Sequence, residues 1–313
     1  MTTQGKTTKA DGIFTGLRVS DLQIIGSTWM RFAFRSGGGV VSLFLVLVIG
    51  LMIPVAAITQ IEKLATPMGA SELSQSERIK MISESSIITG IVEGLVEDGD
   101  DDGGEITSYL IKEKPAMLSL ALLMMLYIVP FGACAAAFNQ TAGDIGSRGL
   151  RFILPRVERS NIFLGRFISA FLFVTLSFVI LISVVTGYLY FKISIYSFSD
   201  LALWGMQGIV SYALYALPYV ALAAWISCCM KSAFSAMAMT YLAALGPSLF
   251  LQIVKAIFSK FGLDWLPKLM PWGWKFNMFS NDMGDRMMGY GVMLGFTVLF
   301  LLVGLMTFRK RDL

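Results

Sequence analysis

Six windows of the chain run for twenty or more residues without a single charged side chain. They lie between Arg35 and Glu62, Lys114 and Asp144, Arg166 and Lys192, Asp200 and Lys231, Lys231 and Lys255, and Arg286 and Arg309. A hydrocarbon slab of about 30 Å takes about 20 helical residues at about 1.5 Å rise each. The pattern therefore predicts six transmembrane helices, at about residues 40–60, 116–138, 167–191, 203–229, 232–254 and 287–308. Helices are required because a lone strand leaves its backbone donors unpaired in lipid, and these runs are too long and too evenly apolar for barrel strands. The fold class is an all-α integral membrane protein.

Between the windows the polar positions carry the organisation. Residues 1–36 form a polar tail followed by LRVSDLQIIGSTWMRFAF, where Leu22, Ile25, Trp29 and Phe32 fall at helical spacing and Asp21, Thr28 and Arg31 lie off that stripe. This predicts an amphipathic helix lying along the membrane interface, with an N-terminal extension of the first span as the alternative. Gly37, Gly38 and Gly39 supply a bend before residues 37–313, the transmembrane domain. The first apolar run begins near Val40 and is long enough to stay as an anchor, unlike a cleaved secretory signal.

The connection 61–115 is long and carries Glu97, Asp98, Asp100, Asp101, Asp102 and Glu105 among glycines. It lacks the ligand spacing of a calcium-binding loop and reads as a solvated acidic segment with helical pieces on either side. Trp265, Trp272 and Trp274 stand close to Pro267 and Pro271 in the segment 256–286. Tryptophans favour the interface and prolines break helices, which leaves two readings, an interfacial loop or a re-entrant one. The fourth window is long and contains Pro218, which predicts a tilted or kinked helix.

Composition strengthens the membrane reading: 56% of residues are hydrophobic and 15% charged, and the mean hydropathy is +0.70. Soluble domains sit nearer about 45–50% and about 25%. There is no histidine, which removes Ser-His and Cys-His nucleophiles and imidazole metal sites together. Cys134, Cys228 and Cys229 fall in or at the edge of apolar runs, without the spacing of a zinc site, and read as packing residues. Asp282 and Asp285 read as a polar turn before the sixth span. No phosphate-binding loop is present, because the one Gly-Lys-Thr, Gly5 to Thr7, has no room for the upstream glycine. The chain is therefore expected to be no enzyme, with no catalytic, metal or cofactor residues of its own.

Lysine and arginine near span ends fix orientation. Basic residues gather in the N-terminal segment, in the connection after the second span, and in the tail at Arg309, Lys310 and Arg311. With six spans these share one side, the cytoplasm, although the stretch between Lys255 and Arg286 also holds Lys260, Lys268 and Lys275. The expected location is the inner (plasma) membrane of a prokaryote, with both termini cytoplasmic.

The connection after the second span reads NQTAGDIGSRGLRFILPRVERSNIFLGRF. Its middle, around Leu150 to Ile153 with Arg148 and Arg151, suits a short amphipathic helix that Pro155 ends. An acidic residue, a glycine, a basic residue, apolar positions, a proline turn, an arginine, and then a glycine and a basic residue entering the next span are Asp144, Gly146, Arg148, Leu150, Ile153, Leu154, Pro155, Arg159, Gly165 and Arg166. In this segment, and in the order of six spans, a preceding amphipathic helix, an inner turn at Lys231 and a basic tail, the chain resembles the permease subunits of ABC-2-type transporters. It departs from the commoner pattern in Asp144, where glutamate is more usual, in Ser147 in place of a second glycine, and in its long first outer segment.

The resemblance implies an ABC-2 (type V exporter-like) permease fold. Two permeases, identical or paralogous, would form a pathway for export, and two separate cytoplasmic ABC ATPase subunits would bind beneath them and carry the ATP and magnesium. It also implies that the segment Asp144–Arg159 is the ATPase-coupling helix, with Arg148, Arg151 and Arg159 facing acidic partner surface and Leu150, Ile153 and Leu154 as anchors, and that Lys231, Arg309 and Arg311 mark the inner turn and tail. The same arginines also suit topology and anionic lipid alone. The competing readings are an ATP-independent channel or secondary transporter, disfavoured by spans without ionisable groups, and a membrane scaffold without transport.

Overall fold

The computed structural model describes residues 19–35, 44, 47–52, 55–56, 59, 86–96, 103–150, 157–193, 196–257 and 265–311. The polar tail, the Gly37–Gly39 bend, much of the first expected span, the acidic run from Glu97 to Asp102, and Arg151, Ile153, Leu154 and Pro155 lie outside them. Of the first span, residues 44, 47–52, 55–56 and 59 are described and helical.

Among the described residues all regular structure is helical. In chain order there are α1 (Val19–Arg35), α2 (Ser86–Val96), α3 (Gly103–Ser108) running into a wider turn over Tyr109–Glu113, α4 (Ala116–Leu126), α5 (Val129–Ala137) and α6 (Ala142–Gly146). Four long helices follow: α7 (Arg159–Ile193), α8 (Phe198–Cys229), α9 (Ala233–Ile257) and α10 (Met283–Lys310). Three short 3-10 turns, Leu266–Leu269, Pro271–Trp274 and Asn277–Phe279, lie between α9 and α10.

The four long helices are each long and apolar enough to cross a membrane, and α4 with the stretch Val129–Gly146, which holds α5 and α6, makes a fifth if that bent pair is one span. The bend is 48°, where the sequence pattern predicts one uninterrupted helix over 116–138. Its cause is local. Pro130 has no N–H to give to the carbonyl four residues back, so the ladder stops at Leu126 and restarts at Val129. Pro218 behaves differently: α8 passes through it as one continuous helix, so the predicted excess length is met without a break.

Burial ranks the helices. In α8, 67% of the apolar window is inside the fold, against 17% in α9, which makes α8 the central post and α9 a peripheral one. The post is packed on α7, α10, α5 and α9. Tyr212, Tyr215 and Tyr219 fill its middle, with Tyr212 donating to the Leu122 carbonyl and Tyr219 to the Tyr215 hydroxyl at 3.3 Å. In contrast, Phe234, Leu242, Phe250 and Ile257 of α9 are exposed, as a lipid-facing or partner-facing surface requires. At 35 residues, α7 is about 52 Å long. It starts eight residues before the expected span and overhangs any slab of about 30 Å.

The predicted stripe on α1 faces the bundle. Ile25 and Trp29 pack against the core while Ile24 is exposed, and α1 lies on the first part of α7. The approach is close: a Cβ at Gly165 would stand 3.1 Å from Ile25 Cγ2. The segment before α10 is drawn in as well. Lys275, Phe276, Met278 and Phe279 are buried, and the turns rest on Tyr127, Trp204 and Tyr212. Tyr127 is about three helical turns in from Ala116, so the tryptophan segment packs against the body of the bundle and not only against its end.

Candidate functional site

The residues singled out after the second apolar window assemble at one end of the bundle, where α7 begins and α8 and α10 finish. The junction is built from α6 outward. This five-residue helix has no side-chain cap of its own; Ser227 of α8 supplies one, its Oγ accepting from the backbone N–H groups of Thr141 at 2.9 Å and Ala142 at 3.0 Å. Asn139 Oδ1 takes the next donor, Gly143 N–H, at 2.9 Å. The helix start is thus satisfied from two sides, one of them the central post.

Asp144 then ties α6 to α7. Its carboxylate meets Arg166 Nη2 at 2.5 Å, and Arg166 Nη1 donates to the Gln140 carbonyl at 2.7 Å. The Arg166 side chain is 7% exposed and that of Asp144 47%. The pair is therefore one-sided, with a desolvated guanidinium on a carboxylate that still sees solvent. Gly146 lies against the Lys231 backbone carbonyl with no space for a Cβ, so α6 and the turn between α8 and α9 touch through backbone.

Arg148 follows at φ 59°, the left-handed region, with Gly149 N–H returning to the Asp144 carbonyl at 2.9 Å. This conformation closes the helix and is usually taken by glycine. The Arg148 side chain is exposed and Leu150 is buried at 1%. Arg148 is thus the described member of the predicted docking set that points its charge outward.

Arg159 is turned the other way. Its Nη1 donates to the carbonyls of Arg309 at 2.8 Å, Arg311 at 2.7 Å and Phe308 at 3.4 Å, closing the C-terminus of α10. Arg309 Nη2 donates to Ser160 Oγ at 2.7 Å, and Arg311 donates to the Cys228 carbonyl at the end of α8. Cations at helix C-termini complement both the orphan carbonyls and the helix dipole. The C-terminal tail, the end of α8, the segment Thr141–Leu150 and the root of α7 form one hydrogen-bonded junction.

A family model described as protein of unknown function (DUF2705) matches residues 106–313. The chain belongs to DUF2705. No curated protein matches it. The DUF2705 match takes in the whole junction and all four long helices, and it leaves α1 and α2 outside.

Of the predicted site, the structure brings together Asp144, Gly146, Lys231, Arg159, Arg309 and Arg311, and sets Arg148 apart at the surface. Sequence reasoning gave no role to Ser227, Asn139, Gln140 or Ser160, single polar residues whose partners are distant in sequence. Arg166 carried a usable signal, an arginine opening a long apolar run. Lys275 was counted only as a charge against the orientation; it is 3% exposed, with its Nζ 4.3 Å from the Tyr127 ring centroid and 4.6 Å from those of Trp272 and Phe276. Elsewhere Asp282 caps α10, its Oδ1 accepting from Gly284 N–H at 3.1 Å. Cys134 and Cys228 are buried and Cys229 is exposed, all as free thiols.

Proposed function

We propose that this DUF2705 protein is the permease subunit of an ATP-binding cassette transporter of the ABC-2 type, working as an exporter in a prokaryotic inner membrane. In this reading the chain has six spans, both termini are cytoplasmic, and two permease copies or paralogues pair over two ATPase subunits that hold ATP and magnesium. The observation that carries the reading is the junction at α6. The segment Asp144–Leu150 offers an exposed arginine in a fixed conformation and is fastened to α7 through Arg166 and to α8 through Ser227. A partner pressing on that segment would move two long helices together, and rigid elements coupled in this way are what transmission between chains needs.

The decisive measurement is copurification of the full chain from its own cells with an ABC ATPase identified by mass spectrometry, before and after Arg148→Glu combined with Arg151→Glu. Loss of the ATPase with unchanged membrane insertion is the expected result. Retained ATPase would remove the docking role from this segment, and an ATPase that binds but is never stimulated by any cargo would favour the scaffold reading.

A further inference from the structure

A cavity of about 620 Å³ opens between α1 and the root of α7, beside the junction and within the range of about 300–1,000 Å³ typical of ligand sites. Ile25 and Trp29 of α1, with Val157 and Ile162, give it apolar walls, and Asp144 and Arg166 form its polar end. At about 30 Å³ for each heavy atom of a liquid, that space takes about 20 of them. It therefore suits one alkyl chain with a small head and is too small for a lipid of two chains.

The two members of the polar end differ in what they can give a ligand. The Arg166 side chain is 7% exposed and committed, with Nη2 on Asp144 and Nη1 on the Gln140 carbonyl. An anion would have to displace the carboxylate and leave it unpaired. The Asp144 side chain is 47% exposed, and Arg166 meets its Oδ2. A carboxylate has about four lone-pair sites, so the open side of Asp144 is an acceptor still on offer. One turn before Ile25, Asp21 adds a second carboxylate on α1, and its described partner is an amide, Asn161 Nδ2 at 3.4 Å. With the carboxylates outermost and the guanidinium buried behind one of them, the field at the polar end favours a cation. We infer that the cavity binds a single-chain amphiphile with a primary ammonium head, the ammonium on Asp144 and the chain along Ile25 and Trp29. The site is defined by binding alone and needs no ATPase, and so stands or falls separately from the transport reading.

The full chain in an uncharged detergent tests it, with bromine-tipped dodecylamine, dodecanol and dodecanoate as probes, because bromine in contact with Trp29 quenches its fluorescence. Trp29→Phe identifies that part of the signal. The amine is expected to quench at about fivefold lower concentration than the alcohol, the worth of one ion pair at a half-exposed carboxylate, and the dodecanoate should be weakest. Asp144→Asn should bring amine and alcohol level. Thr28→Phe, on the exposed face of α1 and at the edge of the cavity, should block all three by filling the mouth, and it keeps the test open if the junction variant does not fold. Equal quenching by the three probes, a preference for the dodecanoate, quenching that is undiminished in Trp29→Phe, an unchanged order in a folded Asp144→Asn, or unchanged quenching in Thr28→Phe would each overturn the assignment.

Discussion

The two ends of the helix bundle hold most of their described cations in different ways. At the end where α8 and α10 finish, arginines meet oxygens: Arg159 and Arg311 on backbone carbonyls, Arg309 on Ser160, Arg166 on Asp144. At the other end lysines meet rings: Lys114 over Tyr109 at 5.1 Å and Trp204 at 5.3 Å, Lys268 over Trp274 at 5.9 Å, and Lys275 among Tyr127, Trp272 and Phe276. The division follows the side chains. A guanidinium is a planar fork of five donors that can close several helix carbonyls at once, whereas an ammonium is a point charge well suited to an aromatic face. The arginine end is therefore fixed by directional bonds. The lysine end adds softer contacts over rings beside the directional bonds that Arg286 gives to the Ser280 and Asn281 carbonyls.

Breaking the arginine end should cost most. Arg166→Leu leaves the Asp144 carboxylate without its partner and the Gln140 carbonyl without its donor. Removing one member of a buried pair costs about 3–5 kcal/mol, and the half-exposed carboxylate places this variant near the lower figure, about 3 kcal/mol. Asp144→Leu with Arg166→Leu should recover much of the loss, because no uncompensated charge is left. Thermal unfolding in detergent of the two single variants and the double reads this cycle directly; a double variant as unstable as the sum of the singles would mean that the pair is not coupled.

Next comes Gly146→Ala. The obstacle to its methyl group is the Lys231 backbone carbonyl, which cannot swing away as a side-chain tip can. Overpacking against backbone costs about 2 kcal/mol, and the shift should be seen as a lowered unfolding temperature with the rest of the fold retained. Lys275→Met, at the opposite end, keeps the chain length and removes the charge among three rings. A desolvated cation–π contact is worth about 2 kcal/mol at most and about 0.5–1 where water reaches it, so a loss of about 1 kcal/mol is expected, with a change in Trp272 fluorescence as the local signature. Were Lys275→Met to cost more than Arg166→Leu, the contrast between a fixed end and a soft end would be lost.

The legible and illegible parts of this chain divide by the reach of the signal. Long apolar windows bounded by charges are local, so α8 to α10 could be read from the sequence almost to their ends and α7 except for its first eight residues, and the stripe Ile25–Trp29 placed the inner face of α1. The break at Tyr127 was also local, since Pro130 stood in plain view, but apolar content is blind to hydrogen-bond loss inside a run. The junction was half legible. Spacing and charge pointed at Asp144, Gly146 and Arg148, while Ser227, Gln140 and Ser160 act across separations of about 80 to 150 residues, as Thr141 with Ser227 and Ser160 with Arg309 show. No periodicity marks such pairs. Arg159 was read as facing a partner, and it lies instead on the carbonyls of the tail, a demand visible only once the end of α10 is beside it.

Arg148 gives the smallest effect and the most informative one, because its sign is opposite. It sits at φ 59° with an exposed side chain, a backbone state that costs an L-residue about 1–2 kcal/mol and a glycine almost nothing. Arg148→Gly should therefore stabilise the isolated chain by up to about 1 kcal/mol, the remainder being lost to the greater freedom of glycine in the unfolded state. If the residue were there for topology or folding alone, that gain would come free. On the transport reading it does not: the same variant, more stable in detergent, should bind the ATPase more weakly, since the outward guanidinium is gone. Measuring unfolding temperature and ATPase retention on one preparation separates the two, and a variant that gains stability while keeping its partner would show that the strained arginine serves neither.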